Sequence, residues 1–85
     1  MTRNQSFAIS IMHALSPKMN ASVEYDALGD SLEFNYRKIE GNIDECFEEV
    51  TKTITIYHNY DNEIAQKYLD RIKEVLAEME KRYEQ

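Results

Sequence analysis

The last third of the chain carries the pattern that most restricts the fold, a stripe of apolar residues at helical spacing. Between residue 61 and about residue 84 the stripe consists of Ala65, Leu69, Ile72, Leu76, Met79 and Tyr83. This period predicts an amphipathic α-helix over residues 61–84, with Asn59 or Asp61 as its N-cap. Tyr68 and Val75 widen the stripe on one side. A stripe of that width favours packing on a domain core over a strict two-stranded coiled coil.

A β-hairpin is predicted in the middle of the chain, over residues 22–27 and 31–37. Both segments alternate apolar and polar residues, and the dipeptide Gly29-Asp30 between them is typical of a two-residue hairpin turn. A turn at that dipeptide fixes a register that gathers the apolar residues of both strands on one face. On the other face the same register places Asp26 directly opposite Glu33.

Residues 6–13 fit either a third strand or a short helix. Phe7, Ile9 and Ile11 alternate with small or polar residues, as on one face of a strand. The same segment also carries apolar residues at helical spacing, so a helix is the alternative. We take the strand as the expected structure. Ser16-Pro17 ends either element, because the residue before a proline disfavours helical backbone angles.

Residues 42–58 are predicted to form a helix that begins at Asn42. Six apolar residues repeat there at helical spacing, namely Ile43, Cys46, Phe47, Val50, Ile54 and Tyr57. The run from Thr51 to Tyr57 favours a strand instead, because it is rich in β-branched residues and alternates. We prefer the helix, since its period continues through all six positions. A short connection at residues 59–61 would then join it to the last helix as an αα-hairpin.

Together these elements predict an α+β fold, a small three-stranded antiparallel sheet (β-β-β) followed by an αα-hairpin packed on one face. The 85 residues are expected to form one domain, residues 1–85, near the lower limit of what a single core supports. Apolar residues make up 42% of the chain and charged residues 31%, which is typical of a soluble globular protein rather than a disordered one.

Several classes of function are disfavoured by the composition. Cys46 is the single cysteine, which excludes an intrachain disulfide and fits a reducing compartment, so we expect a cytoplasmic location. The sequence contains no apolar run of membrane-spanning length, no Gly-rich phosphate loop and no zinc-ligand spacing. The acidic run over residues 26–33 lacks the alternating pattern of a calcium-binding EF-hand loop. We therefore expect no membrane contact, no enzymatic activity, no cofactor and no metal.

The chain concentrates its negative charge between residues 24 and 49. That segment contains nine acidic residues against two basic ones, Arg37 and Lys38, in a chain of formal net charge −6. A local concentration of one charge is costly to fold and useful for meeting a partner of opposite charge. Direct binding to nucleic acid is disfavoured, because that affinity comes from Lys and Arg neutralising phosphates.

The acidic segment predicts a surface that binds a basic protein partner. The candidate contact residues are Glu24, Asp26, Asp30, Glu33, Asp44, Glu45, Glu48 and Glu49. Several of them form like-charge pairs, across the hairpin strands or four residues apart on the predicted helix, and each such pair destabilises the fold. In its most specific form, the hypothesis is that these carboxylates imitate nucleic-acid phosphates and that the protein thereby inhibits a nucleic-acid-handling protein. The alternative is an acidic face that only keeps the protein soluble and discourages aggregation at the sheet edge.

By size, acidity and predicted architecture the chain resembles some small anti-CRISPR and anti-restriction proteins of phages, which implies an inhibitor that binds a basic protein.

A different class of function, a structural homo-oligomer, is the alternative. Its seam would be formed by the stripe residues Leu69, Ile72, Leu76, Met79 and Tyr83. Oligomerisation is a common remedy for a core as small as this one, so a homodimer is compatible with either function.

Overall fold

The computed structural model, which describes residues 1–41 and 48–83, places two helices on one face of a three-stranded antiparallel sheet. The elements in chain order are α1 (Arg3–Ala14), β1 (Ala21–Asp26), β2 (Ser31–Glu40), β3 (Glu48–Ile56) and α2 (Asn62–Tyr83). The strands lie side by side in the order β1-β2-β3. The predicted α+β class, with three antiparallel strands and a long C-terminal helix, is confirmed.

The predicted strand over residues 6–13 is wrong, because this segment is part of helix α1. Thr2 is its N-cap, and the Thr2 hydroxyl accepts a hydrogen bond from the backbone N–H of Gln5 at 3.1 Å. The buried residues of α1 are Asn4, Ala8 and Ile11, which lie on one helical face. A single buried face at this spacing is available only in the helix, which explains why the helical period prevails over the alternating one.

The predicted helix over residues 42–58 is wrong for the part that the structure describes, because residues 48–56 form strand β3. Ile54 and Ile56 point toward the core and pair with Phe34 and Leu32 of β2. The β-branched residues therefore follow the period of a strand, and β2 gains a hydrogen-bonded neighbour along its length. The predicted αα-hairpin is absent, and the element order becomes α-β-β-β-α. Residues 42–47 of the predicted helix lie outside the described residues.

The β1–β2 hairpin is confirmed, with a register shifted by two residues from the predicted one. Four residues rather than two separate the strands, and the positive backbone φ of 47° falls on Asp30 instead of Gly29. An even shift leaves every side chain on its predicted face. It changes the opposed like-charge pair, however, from Asp26–Glu33 to Glu24–Glu33.

The core lies between the inner face of the sheet and the two helices. Its buried side chains are Ala8 and Ile11 of α1, Leu32, Phe34 and Ile56 of the sheet, and Ala65, Leu69, Ile72, Val75, Leu76 and Met79 of α2. Six of these eleven residues come from α2, so the predicted apolar stripe of this helix supplies the larger share of the core. Both helices cover the same face, and they leave the opposite face of the sheet open.

Candidate binding surface on the open face of the sheet

The open face is the side of the sheet that points away from both helices. Strand alternation places polar side chains on it because the apolar ones point inward. Its residues are Ser22, Glu24 and Asp26 of β1, Ser31, Glu33, Asn35, Arg37 and Ile39 of β2, and Glu49, Thr51, Thr53 and Thr55 of β3. Across the described part of the chain, this face is covered by no other element. Its side chains are therefore exposed to solvent over most of the described sheet.

Three carboxylates gather at one end of the open face, and we call this group the acidic end. Glu24 of β1 lies directly opposite Glu33 of β2, and Asp26 lies two residues further along β1. All three side chains are exposed, and they line one shallow depression together with Thr55 and Tyr57. Among residues 1–41 and 48–83, none of the three carboxylates forms a salt bridge.

The remaining described acids of the block have other neighbours. Glu49 pairs with Arg37 at 3.5 Å on the open face, and Glu40 pairs with Lys52 at 3.1 Å. Glu48 lies opposite Glu40 at the far end of the β2–β3 pair. Because Glu48 and Glu49 are consecutive on a strand, they point to opposite faces, and the helical spacing predicted for them is wrong. Two other candidate contacts, Asp44 and Glu45, lie outside the described residues.

Asp30 serves the fold rather than the open face. One of its carboxylate oxygens accepts hydrogen bonds from the Thr2 hydroxyl at 2.6 Å and from the Tyr25 hydroxyl at 2.6 Å. These two hydrogen bonds, and after them the charge of the Arg3 guanidinium, hold the pKa of Asp30 below its ordinary value. The same carboxylate raises the pKa of Tyr25, since the Tyr25 hydroxyl donates to it. Asp30 thus fixes the β1–β2 turn to the start of α1.

Asn4, at the beginning of α1, holds in place the chain segments that border the acidic end. Its side chain is fully buried and donates to the carbonyl of Asp30 at 2.8 Å and to the carbonyl of Ile56 at 3.2 Å. One amide group therefore ties the β1–β2 turn to the end of β3, the two chain segments that border the acidic end. Asn4 and Asp30 were missed as structural anchors, because the sequence interpretation placed residues 6–13 in a strand and therefore assigned no N-cap before them.

The predicted oligomer seam faces the sheet of the same protomer. Leu69, Ile72, Leu76 and Met79 are at most 6% exposed and pack in the core. The side chain of Tyr83 lies outside the described residues. In this conformation the stripe serves the core of the protomer, which is the role that its width favours, and these four side chains are closed to a second copy.

Comparison of the chain with protein-family models, with curated proteins and with solved structures found no match. Within residues 1–41 and 48–83, no three His, Cys, Asp or Glu side chains lie close enough together to hold a metal ion. Of the described helices, none combines the length and the apolar content that crossing a membrane requires. The open face and its acidic end are therefore the basis for a functional proposal.

Proposed function

We propose that the protein is an acidic interaction module, an inhibitor or adaptor, that presents the open face of its sheet to a basic protein partner. The Glu24–Glu33 pair carries the proposal. Like charges directly opposed across two strands destabilise a sheet by about 0.2–1 kcal/mol. An Arg or Lys of a partner placed between these carboxylates would remove the repulsion. The free energy that the repulsion costs in the free protein is then recovered when the partner binds.

The rest of the open face supports docking of a protein surface. The hydroxyl and amide side chains of Ser22, Asn35, Thr51 and Thr53 offer hydrogen bonds along the centre of the sheet. They have short side chains, which lose little conformational entropy when a partner covers them. The anchors Asn4 and Asp30 hold the acidic end in place before binding, which lowers the entropic cost of association further.

A nucleic-acid-handling protein is the partner class that fits this chemistry best. Such proteins carry grooves of Lys and Arg that bind phosphates. Carboxylates held on a rigid sheet offer the same charge to those side chains, so occupation of the groove by this protein would exclude nucleic acid. The proposal therefore includes competition between this protein and the nucleic acid that its partner binds.

The experiment compares three forms of the protein as baits in cells of its native source. The first is the wild type, the second is the acid-pair variant Glu24→Gln/Glu33→Gln, and the third is the control variant Glu74→Gln/Glu80→Gln. The control removes the same charge from exposed positions on α2, which lies on the other side of the sheet. Captured proteins are quantified, and each candidate is purified for a competition assay with nucleic acid.

We expect a basic protein that the wild type and the control variant capture and that the acid-pair variant does not. Adding that partner's nucleic-acid ligand should displace the wild type. Equal capture by all three forms would refute the proposal, because the acidic end would then contribute nothing to recognition. If capture depends on Glu24 and Glu33 but nucleic acid does not displace the wild type, the protein is an interaction module whose partner does not handle nucleic acid through the bound surface.

A further inference from the structure

A cluster of three tyrosines, which we call the tyrosine cluster, lies where β3 turns into α2. The ring centroids of Tyr57 and Tyr60 are 5.5 Å apart with an edge-on geometry, and those of Tyr60 and Tyr68 are 5.5 Å apart and stacked. Tyr57 is 49% exposed and Tyr68 is 40% exposed, while Tyr60 packs partly against the core. Ile64, which is 43% exposed, follows in the first turn of α2. Exposed aromatic groups of this size are typical of protein interfaces.

Tyr57 connects the tyrosine cluster to the acidic end. Thr55 points to the open face and Ile56 points to the core. Because side chains alternate along a strand, Tyr57 lies on the side of the open face again. Its side chain lines the same depression as Glu24, Asp26 and Glu33. The aromatic residue Tyr57 and a group of carboxylates therefore border one concave surface.

The main chain of the tyrosine cluster is fixed by the guanidinium of Arg3. It donates to the carbonyl of Tyr57 at 3.1 Å and also to the carbonyl of Tyr60 and the side chain of Asn62. Its Nε–H donates to the side-chain oxygen of Asn4 at 3.0 Å. These bonds direct the Arg3 donors to the main chain and to amide side chains. The half-exposed ring of Tyr57 is left to an external group, and the main chain that carries it is fixed before binding.

We propose that the tyrosine cluster and the acidic end form one docking surface for an arginine-bearing segment of the partner, with an arginine side chain held between the carboxylates and the ring of Tyr57. This inference rests on the proposed function and names the residue type that is recognised. The charge of the acidic end selects a cation, and the tyrosine ring distinguishes between cations. Arginine stacks on aromatic faces and bonds carboxylates in a bidentate manner, whereas the lysine ammonium is a compact, strongly hydrated charge.

The test measures binding of two fluorescent probe peptides, an oligoarginine and an oligolysine of equal length, by fluorescence anisotropy at several salt concentrations. The wild type should bind the oligoarginine about 2- to 5-fold more tightly, which is the range of a cation–π contact at an exposed site. Tyr57→Leu should lose this preference while keeping the salt-dependent affinity for both peptides. Tyr57→Phe keeps the aromatic face and should keep the preference.

The outcomes separate the two proposals. If the acid-pair variant binds both peptides as tightly as the control variant Glu74→Gln/Glu80→Gln does, the proposed function fails. If affinity depends on Glu24 and Glu33 but Tyr57→Leu retains the arginine preference, only the present inference fails. Should Tyr57→Leu not fold, amide NMR of the wild type decides. Joint shifts of the Tyr57 and Glu33 signals with oligoarginine support the inference, and an unshifted Tyr57 signal overturns it.

Discussion

At the scale of single residues, Asn4 is the polar side chain that the described core buries, and it joins three parts of the chain. It is buried without exposure to solvent, and its amide donates to one carbonyl in the β1–β2 turn and to one at the end of β3. A buried carbonyl that loses a donor incurs part of the cost of its desolvation. Asn4 thereby connects the start of α1 to the two segments that border the acidic end.

We predict that Asn4→Ala lowers the free energy of unfolding by about 1–3 kcal/mol, because it removes the Asn4 amide from the carbonyls of Asp30 and Ile56. Urea unfolding followed by circular dichroism measures this change. Gln5→Ala is the matched control, since Gln5 is the next residue of the same helix and is exposed. Its effect should stay within about 0.5 kcal/mol. Equal effects of the two substitutions would refute the anchoring role of Asn4.

Asp30 predicts a specific pH dependence of stability. Its pKa is lower in the folded protein than in the unfolded chain, so its contribution is fully present above the ordinary carboxyl pKa and is lost as the pH falls through the folded value. The difference in unfolding free energy between wild type and Asp30→Asn should therefore shrink below about pH 4. Asparagine tolerates the same positive φ, so the turn itself is preserved.

NMR titration of the Asp30 carboxyl tests the cause of this shift directly. In Tyr25→Phe the carboxylate loses one of its two hydroxyl donors, so its pKa should rise toward the ordinary value. Ser22→Ala serves as the control, because Ser22 lies on the same strand but points to the open face. An Asp30 pKa that is unchanged in Tyr25→Phe would contradict the hydrogen-bond explanation.

At the scale of elements, the segments with one dominant pattern were predicted and the ambiguous ones were not. The stripe of α2 and the alternation of the β1–β2 hairpin each fit a single structure, and both are present. Residues 3–14 and 48–56 carry both periods, so tertiary contacts decide between them. In α1 the buried face of Asn4, Ala8 and Ile11 requires the helix, and in β3 the pairing with β2 requires the strand.

The hairpin turn shows why the candidate site was only partly predicted. The dipeptide Gly29-Asp30 indicated the turn, but the loop is longer, and Asp30 takes the left-handed conformation. This difference moved the opposed carboxylate from Asp26 to Glu24 and turned Asp30 toward Thr2. Local turn chemistry indicates that a hairpin forms, whereas its register depends on the length of the loop, which the dipeptide alone does not give. The contact between Asp30 and Thr2 is long-range and leaves no periodic signal in the sequence.

The like-charge pair of the hairpin predicts a stabilising substitution. Glu33→Lys converts the Glu24–Glu33 repulsion into an attraction and should raise the free energy of unfolding by about 0.2–1 kcal/mol. The gain should diminish at high salt, because exposed charges are screened. Urea unfolding at low and high salt measures both effects. In a Glu24→Gln background the same substitution should raise the free energy of unfolding by less. An equal increase in both backgrounds would show that Glu24 and Glu33 do not interact.

At the scale of the whole molecule, charge and packing are separated between two sides of the sheet. The inner side holds the core and both helices, and the open face holds the polar residues with the acidic end. Tyr57 was assigned to a helical stripe, so its place beside the acidic end was missed. That proximity arises only when β3 is a strand and its last residues meet the β1–β2 hairpin. The sequence therefore indicated the charge of the surface but not its aromatic part.

The core of the protomer predicts the outcome of a substitution in α2. Ile72 is fully buried, so Ile72→Ala should lower the free energy of unfolding by about 2–5 kcal/mol. Because Ile72 packs within one protomer, the unfolding midpoint of the wild type should not depend on protein concentration. Denaturation at several protein concentrations measures this. A midpoint that rises with concentration would favour the alternative in which the stripe assembles a homo-oligomer.

The proposed function depends on binding of a basic partner to the acidic end of the open face. Calorimetric titration of a purified partner against wild type, the acid-pair variant Glu24→Gln/Glu33→Gln and the control variant Glu74→Gln/Glu80→Gln measures this binding. We predict equal affinity for wild type and control, and an affinity weaker by about tenfold or more for the acid-pair variant, with a weaker salt dependence. The same affinity for all three proteins would contradict the account.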